Sequence, residues 1–147
     1  MIDVIQANTT HLEQAAMLFN AYRIFYGQPD NLEGATAFIQ ERLDKQDSIF
    51  FLAFLAGTEV GFTHLFPSFT SVGMGRIWVL NDLFVIPSAR KSGVGDALLS
   101  RAKALAKETA SKRVILETAI DNYPAQKLYD KTGFIRVEGF YQYSFEL

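Results

Sequence analysis

The stretch that most narrows what this chain can fold into is an apolar segment, a glycine-containing turn and an amphipathic helix, spanning residues 77–106. The apolar segment, Ile77-Trp78-Val79-Leu80-Asn81-Asp82-Leu83-Phe84-Val85-Ile86, is bulky and rich in β-branched side chains, which suits a strand. Pro87 and Ser88 end it. Beyond the turn, Ala97, Leu98, Ala102, Leu105 and Ala106 form a helical stripe, with Arg101, Lys103, Lys107 and Glu108 opposite. Between strand and helix lies Arg90-Lys91-Ser92-Gly93-Val94-Gly95. N–H groups at a helix start are unpaired and carry partial positive charge, so they favour a phosphate-sized anion. Glycines let the anion approach the backbone, and Arg90 and Lys91 add full charges. The expected ligand is a pyrophosphate.

Two familiar phosphate motifs are excluded by spacing. A dinucleotide fingerprint requires a third glycine where Leu98 stands, and a P-loop requires Gly-Lys-Ser/Thr after four spacer residues, which does not occur. Composition narrows the partners further. The formal net charge of −2 provides no basic field for nucleic acid or an anionic membrane. With no cysteine there is no disulfide, thiolate metal site or Cys nucleophile, and two isolated histidines, His11 and His64, make no metal site. No apolar run approaches the roughly 20 residues of a membrane span, and Met1-Ile2-Asp3-Val4 does not begin a signal peptide. A cytoplasmic location is expected. At 147 residues and 49% hydrophobic, the chain suits one domain over residues 1–147 with a substantial core.

The remaining segments alternate between strand and helix patterns. Residues 2–7 read as a strand, and Thr10 with Glu13 reads as a capping box for a helix ending near Gly27-Gln28-Pro29. A second helix is predicted over 32–45, and strands over 49–56 and 59–66 pair as a hairpin through Gly57-Thr58. Residues 67–75 read as a connector. A strand over 113–119, a helix over 123–132, and a closing hairpin of 134–137 with 140–146 complete the chain. The aromatic final strand suggests an edge for a homodimer.

Arg90-x-x-Gly93-x-Gly95 after a strand resembles the pattern of the GNAT N-acetyltransferases. Downstream, Glu117-Thr118-Ala119-Ile120-Asp121-Asn122-Tyr123-Pro124-Ala125-Gln126-Lys127-Leu128-Tyr129-Asp130-Lys131-Thr132-Gly133-Phe134 is similar to the family's second motif: a strand end, an Asn, a helix with Ala and Tyr, then Gly-Phe. The resemblance covers most of the chain. It implies an α/β fold of the GNAT (acyl-CoA N-acyltransferase) type, a mixed central sheet with helices on both faces. It also implies acetyl-coenzyme A as cosubstrate, bound by the turn residues Arg90, Lys91, Ser92, Gly93, Val94 and Gly95 and by Asn122 and Ala125.

Amine attack on a thioester requires a donor for the oxyanion, a proton source for the sulfur and a base for the amine. By the resemblance, the oxyanion donor is a main-chain N–H of Leu83, Phe84 or Val85, where the central strand bulges and splays. Tyr129 is the proton source; a phenol's ordinary pKa near 10 suits an alkyl thiolate. Taken alone, Tyr129 reads equally as a helix residue packing on Phe134, and Asn122 as a helix N-cap.

The base is less direct. Polyamine and diamine acetyltransferases, which the chain resembles around Asn81-Asp82-Leu83-Phe84-Val85, place Glu where Asn81 stands. Asn accepts no proton but orients a water or the amine. Asp82 alternates to the opposite face unless a bulge intervenes. Two routes therefore stay open, Asp82 itself or a water chain. Phe25, Tyr26 and His64 are candidate acceptor-binding residues, with packing roles as the plainer alternative for each. The acceptor implied is a small cationic primary amine, with protein lysines and N-termini also open. Transfer of another acyl group, and an acyl-coenzyme A sensor without catalysis, are the competing readings.

Overall fold

The computed structural model describes residues 1–147, in two units, Met1–Glu117 and Thr118–Leu147. In the first, β1 (Ile2–Gln6), β2 (Ile49–Leu55), β3 (Thr58–Thr70), β4 (Gly75–Val85) and β5 (Val114–Leu116) form a five-stranded sheet in that order. The first four strands are antiparallel, and β5 joins β4 in parallel. Alternation along β2 separates the faces. Phe50 and Leu52 join Phe62, Phe84, Ala15, Leu18 and Ile39 in a core under α1 (Leu12–Phe25) and α2 (Leu32–Lys45). Phe51 lies on the other side, where Arg101 of α3 (Val94–Glu108) stacks over its ring at 4.6 Å. Val94, Leu98, Leu99, Ala102, Leu105 and Ala106 bury the inner stripe of α3. The expected mixed sheet with helices on both faces is therefore present.

Several boundaries differ from the sequence reading for physical reasons. Asn8, not Thr10, is the capping residue. Its side chain accepts from Thr10 N at 2.9 Å, its own N–H donates to His11 Nδ1 at 3.0 Å, and a 3-10 turn, Thr9–His11, precedes α1. The segment taken as a connector is mostly strand, because β3 runs through Pro67 to Thr70. Pro67 pairs with Trp78 beyond Ile49, where pairing with β2 begins, so one side of the strand is open and a residue lacking N–H is tolerated. β5 is only three residues long, instead of the expected 113–119, and its ladder with β4 stops at Leu80↔Leu116.

In the second unit α4 (Tyr123–Lys131) starts at Asn122, whose side chain accepts from Ala125 N at a long 3.4 Å. Gly133, with φ of 95°, turns the chain after this helix. The predicted closing hairpin is absent: residues 134–147 form no strand. Alternation of Tyr141, Tyr143 and Phe145 supplies a one-sided pattern, but an isolated two-stranded hairpin gains too little burial to persist in water.

Candidate active site

The register of β3 with β4 builds the site. His64 pairs with Asp82 and Leu65 with Leu80, which leaves Asn81 as an extra residue on β4. This is a β-bulge. His64 and Leu65 are adjacent and so face opposite sides of the sheet, and each shares a face with its partner. Leu80 and Asp82, although two residues apart, therefore face opposite sides. Without the bulge Asp82 would share Leu80's side, over α3; with it, Asp82 lies with Phe84 beneath α1. Thr63 Oγ1 donates to the Asp82 carbonyl at 2.8 Å and steadies the kink. Because Asn81 breaks the regular spacing, the parallel ladder to β5 ends one residue earlier, and β4 continues to Val85 without a strand on that side.

Asp82 is only 15% exposed. Burial pushes its carboxyl up to about 6, opposed by a hydrogen bond from the Tyr22 hydroxyl. A carboxylate with that proton affinity is matched to accepting a proton near neutral pH. Tyr22 is packed edge-on to Phe62 and Phe84, at 5.6 and 6.0 Å between ring centres. Phe25 and Tyr26, at the end of α1, are half exposed and continue this aromatic face, with Phe25 6.0 Å from Phe84. Asn81 is exposed. Leu83 and Val85 are half-buried and Phe84 is 5% exposed, so at these positions the main chain is the functional candidate.

His64, expected among the acceptor-binding residues, has no exposed surface. Its ring lies against Phe50 and Phe66, with centroids at 5.0 and 4.5 Å. Burial, assisted by the Arg42 charge, pushes its pKa down to about 3, so the imidazole is neutral. Its Nδ1 stands 3.8 Å from Asp82 Oδ2, a pair that would be ionic only with a charged ring. With no exposed surface it does not meet an acceptor directly, and its nearest charged neighbour on this face is Asp82.

The turn expected to meet the anion holds two residues in the left-handed region. Gly93 caps α3 with φ of 91°, and Lys91 takes φ of 63°. No side chain caps this helix start, so the N–H groups of its first turn remain available for phosphate oxygens. Ser92 Oγ donates to the Ala89 carbonyl and closes the turn. Arg90 Nε donates to the Val85 carbonyl at 2.9 Å, and its guanidinium lies 4.9 Å from the Phe25 ring centre. Arg90 therefore ties the turn to the end of β4 as well as adding charge. Asp96, in the same first turn, opposes an anion. In the second unit Tyr129 is half-buried and edge-on to Phe134 at 6.0 Å, while Ala125 lies in the first turn of α4.

Tyr22, Thr63 and Ser48, whose hydroxyl meets His64 Nε2 at 2.7 Å, do not stand out in the sequence. Tyr22 sits in the apolar stripe of α1, and the other two are single hydroxyls at or in strands. Only the pairing of β3 with β4 reveals what they touch.

The Acetyltransferase (GNAT) family pattern matches residues 15–134. An uncharacterized N-acetyltransferase of Bacillus subtilis, YhfO, is 43% identical over 142 residues, covering 97% of this chain and 95% of that protein. A crystal structure of a probable acetyltransferase superposes with a TM-score of 0.93 at 37% identity, covering 99% of this chain and 97% of the other. AAC(6')-Iy in complex with the bisubstrate analogue CoA-S-monomethyl-acetylneamine shares the fold, with a TM-score of 0.81 at 24% identity over 100% of this chain and 99% of that one. The chain belongs to the GNAT acetyltransferase family and is an acetyl-coenzyme A-dependent N-acetyltransferase.

Proposed function

We propose that the acceptor is a small cationic primary amine, of the polyamine, diamine or aminoglycoside kind, and that it attacks the thioester directly. The observation that carries this reading is the bulge at Asn81, which brings the Asp82 carboxylate onto the aromatic face of Tyr22, Phe25, Tyr26 and Phe84. Aromatic rings beside a desolvated carboxylate attract an ammonium group. Asp82 takes one proton from that ammonium, and the freed nitrogen lone pair attacks the acetyl carbon. The oxyanion is stabilised by a main-chain N–H among Leu83, Phe84 and Val85, on the side of β4 that lacks a strand neighbour. The C–S bond then breaks, Tyr129 gives its phenolic proton to the departing thiolate, and the nitrogen sheds its second proton to water as the Tyr129 phenolate regains one, leaving amide, thiol and the first proton on Asp82. Arg90, Lys91 and the first turn of α3 hold the pyrophosphate of acetyl-coenzyme A, with Asn122 and Ala125 contributing from α4. Asn81 orients the amine or a water.

Both units are read as one acetyltransferase domain, since the family match runs across Glu117 and Thr118. The exposed Phe140, Tyr141, Tyr143 and Phe145 support self-association as a homodimer. A cytoplasmic setting suits the cosubstrate.

Steady-state thiol release with a panel of diamines, polyamines and aminoglycosides tests the assignment. Asp82→Asn and Tyr129→Phe are each expected to lower turnover by about 10²–10⁴-fold, the usual worth of general acid or base catalysis. Calorimetric affinity for coenzyme A should stay near that of the parent protein. Undiminished turnover in either variant, with chemistry rate-limiting, removes that residue from the mechanism.

A further inference from the structure

We propose that Ser48 is a positioning residue for Asp82, acting through His64: its hydroxyl donates to Nε2, holds the buried imidazole in the Nδ1–H tautomer, and so aims an N–H at the Asp82 carboxylate. The inference rests on the reading of Asp82 as the base.

The imidazole of His64 is a ring with no room and one proton. His64 has no exposed surface, and Phe50 and Phe66 lie against it. Three polar groups from different elements bear on the Asp82–His64 pair. Tyr22 of α1 hydrogen-bonds Asp82, and Arg42 of α2, itself paired with Glu41 at 3.0 Å and Asp47 at 3.1 Å, opposes charge on the ring. Ser48, just before β2, has Oγ 2.7 Å from Nε2. A neutral imidazole carries its proton on one nitrogen and accepts at the other.

If Nε2 held the proton, the Nδ1 lone pair would face an ionised Asp82 oxygen 3.8 Å away, and no other donor reaches Nδ1. Two acceptors facing each other in a desolvated site repel, and the nitrogen loses its hydrogen bond. If Ser48 donates, Nδ1–H points at the carboxylate, and a shift of under an ångström completes the bond. When Asp82 is protonated the roles reverse: its O–H donates to Nδ1, and Nε2–H donates to Ser48 Oγ. A hydroxyl serves both arrangements because it both donates and accepts. A main-chain N–H or carbonyl would serve only one. The tautomer of His64 therefore follows the charge on Asp82.

With 15N-histidine in the intact protein, His64 at pH 7.5 should show a protonated Nδ1 and an unprotonated Nε2, and the pattern should change over as Asp82 takes up its proton. Carboxyl 13C signals read Asp82 directly. Its midpoint should rise by about one pH unit in Ser48→Ala, the scale expected for losing a donor to a charged group, and Ser48→Thr should restore it. A protonated Nε2 in the parent protein at pH 7.5, or an Asp82 midpoint unmoved by Ser48→Ala, overturns the proposal. Since these signals do not depend on turnover, a failure here is distinct from a failure of Asp82→Asn to slow the reaction.

Discussion

Asp82 and His64 are two buried groups displaced from their ordinary proton affinities in ways that oppose each other. Asp82 rises from 3.8 to about 6, so between those values the folded protein holds a proton that the unfolded chain has released. Its contribution to stability is greatest at low pH and declines as pH rises through that window. His64 falls from 6.5 to about 3, so between those values the unfolded chain holds a proton that the folded protein lacks. Its contribution grows as pH rises and is lost as pH falls through 6.5 toward 3. From about pH 4 to 6 the two slopes cancel. Asp82→Asn removes one of them, and its stability should rise with pH across that window more steeply than the parent's, by up to about 1.4 kcal/mol per unit. Urea denaturation at half-unit intervals measures both curves; parallel curves would show that Asp82 is not desolvated in the folded state.

At the scale of an element, β4 shows how one inserted residue redirects a strand. The bulge at Asn81 reverses the alternation for Asp82 and Phe84 and halts the ladder to β5. Gly61 on β3 makes the close approach possible: a Cβ there would lie 2.6 Å from the Phe84 carbonyl oxygen and 3.3 Å from Val85 Cγ2. Backbone cannot yield as a side chain does, so Gly61→Ala must push β3 from β4 where the oxyanion donor is expected. A cost of about 1–3 kcal/mol follows, as for other overpacked sites, with turnover reduced as well. Gly75→Ala is the control. The nearest atoms to its Cβ would all belong to the Lys112 side chain, Cε at 2.7 Å and Cγ at 2.9 Å, and that chain can turn aside by a change of rotamer. A change within about 0.5 kcal/mol is expected there. Equal losses in the two variants would contradict the distinction between rigid and yielding neighbours.

At the scale of the whole molecule, binding of coenzyme A should stabilise the fold by mass action, by about 2.7 kcal/mol at a hundredfold excess over its dissociation constant. Gly93→Val tests the turn. A Cβ at Gly93 would meet only Ile2 Cδ1, at 3.6 Å, so space is not the obstacle; the φ of 91° is. A β-branched residue resists that conformation, the helix start moves, and the thermal shift with coenzyme A should be largely lost while unfolding stays cooperative. A full shift in Gly93→Val would separate cofactor binding from this turn.

Period and punctuation along the chain were enough to determine the strand–turn–helix of 77–106, the helix at Leu32–Lys45 and the hairpin of β2 with β3, whereas the mixed sheet followed from the family resemblance. These depend on local alternation, helical stripes and glycine turns, which neighbouring residues encode. The closing hairpin failed on the same basis: a local pattern does not supply the ladder it needs. The side on which Asp82 lies, its company with Tyr22, and the contact of Ser48 with His64 were decided by how two strands pair. A one-residue offset between β3 and β4 leaves almost no trace in composition or period, yet it inverts every side chain beyond it. The turn proposed to cradle a pyrophosphate is therefore readable in one dimension, whereas the environment that suits Asp82 to the proposed role of base exists only once β3, β4, α1 and α2 are packed together.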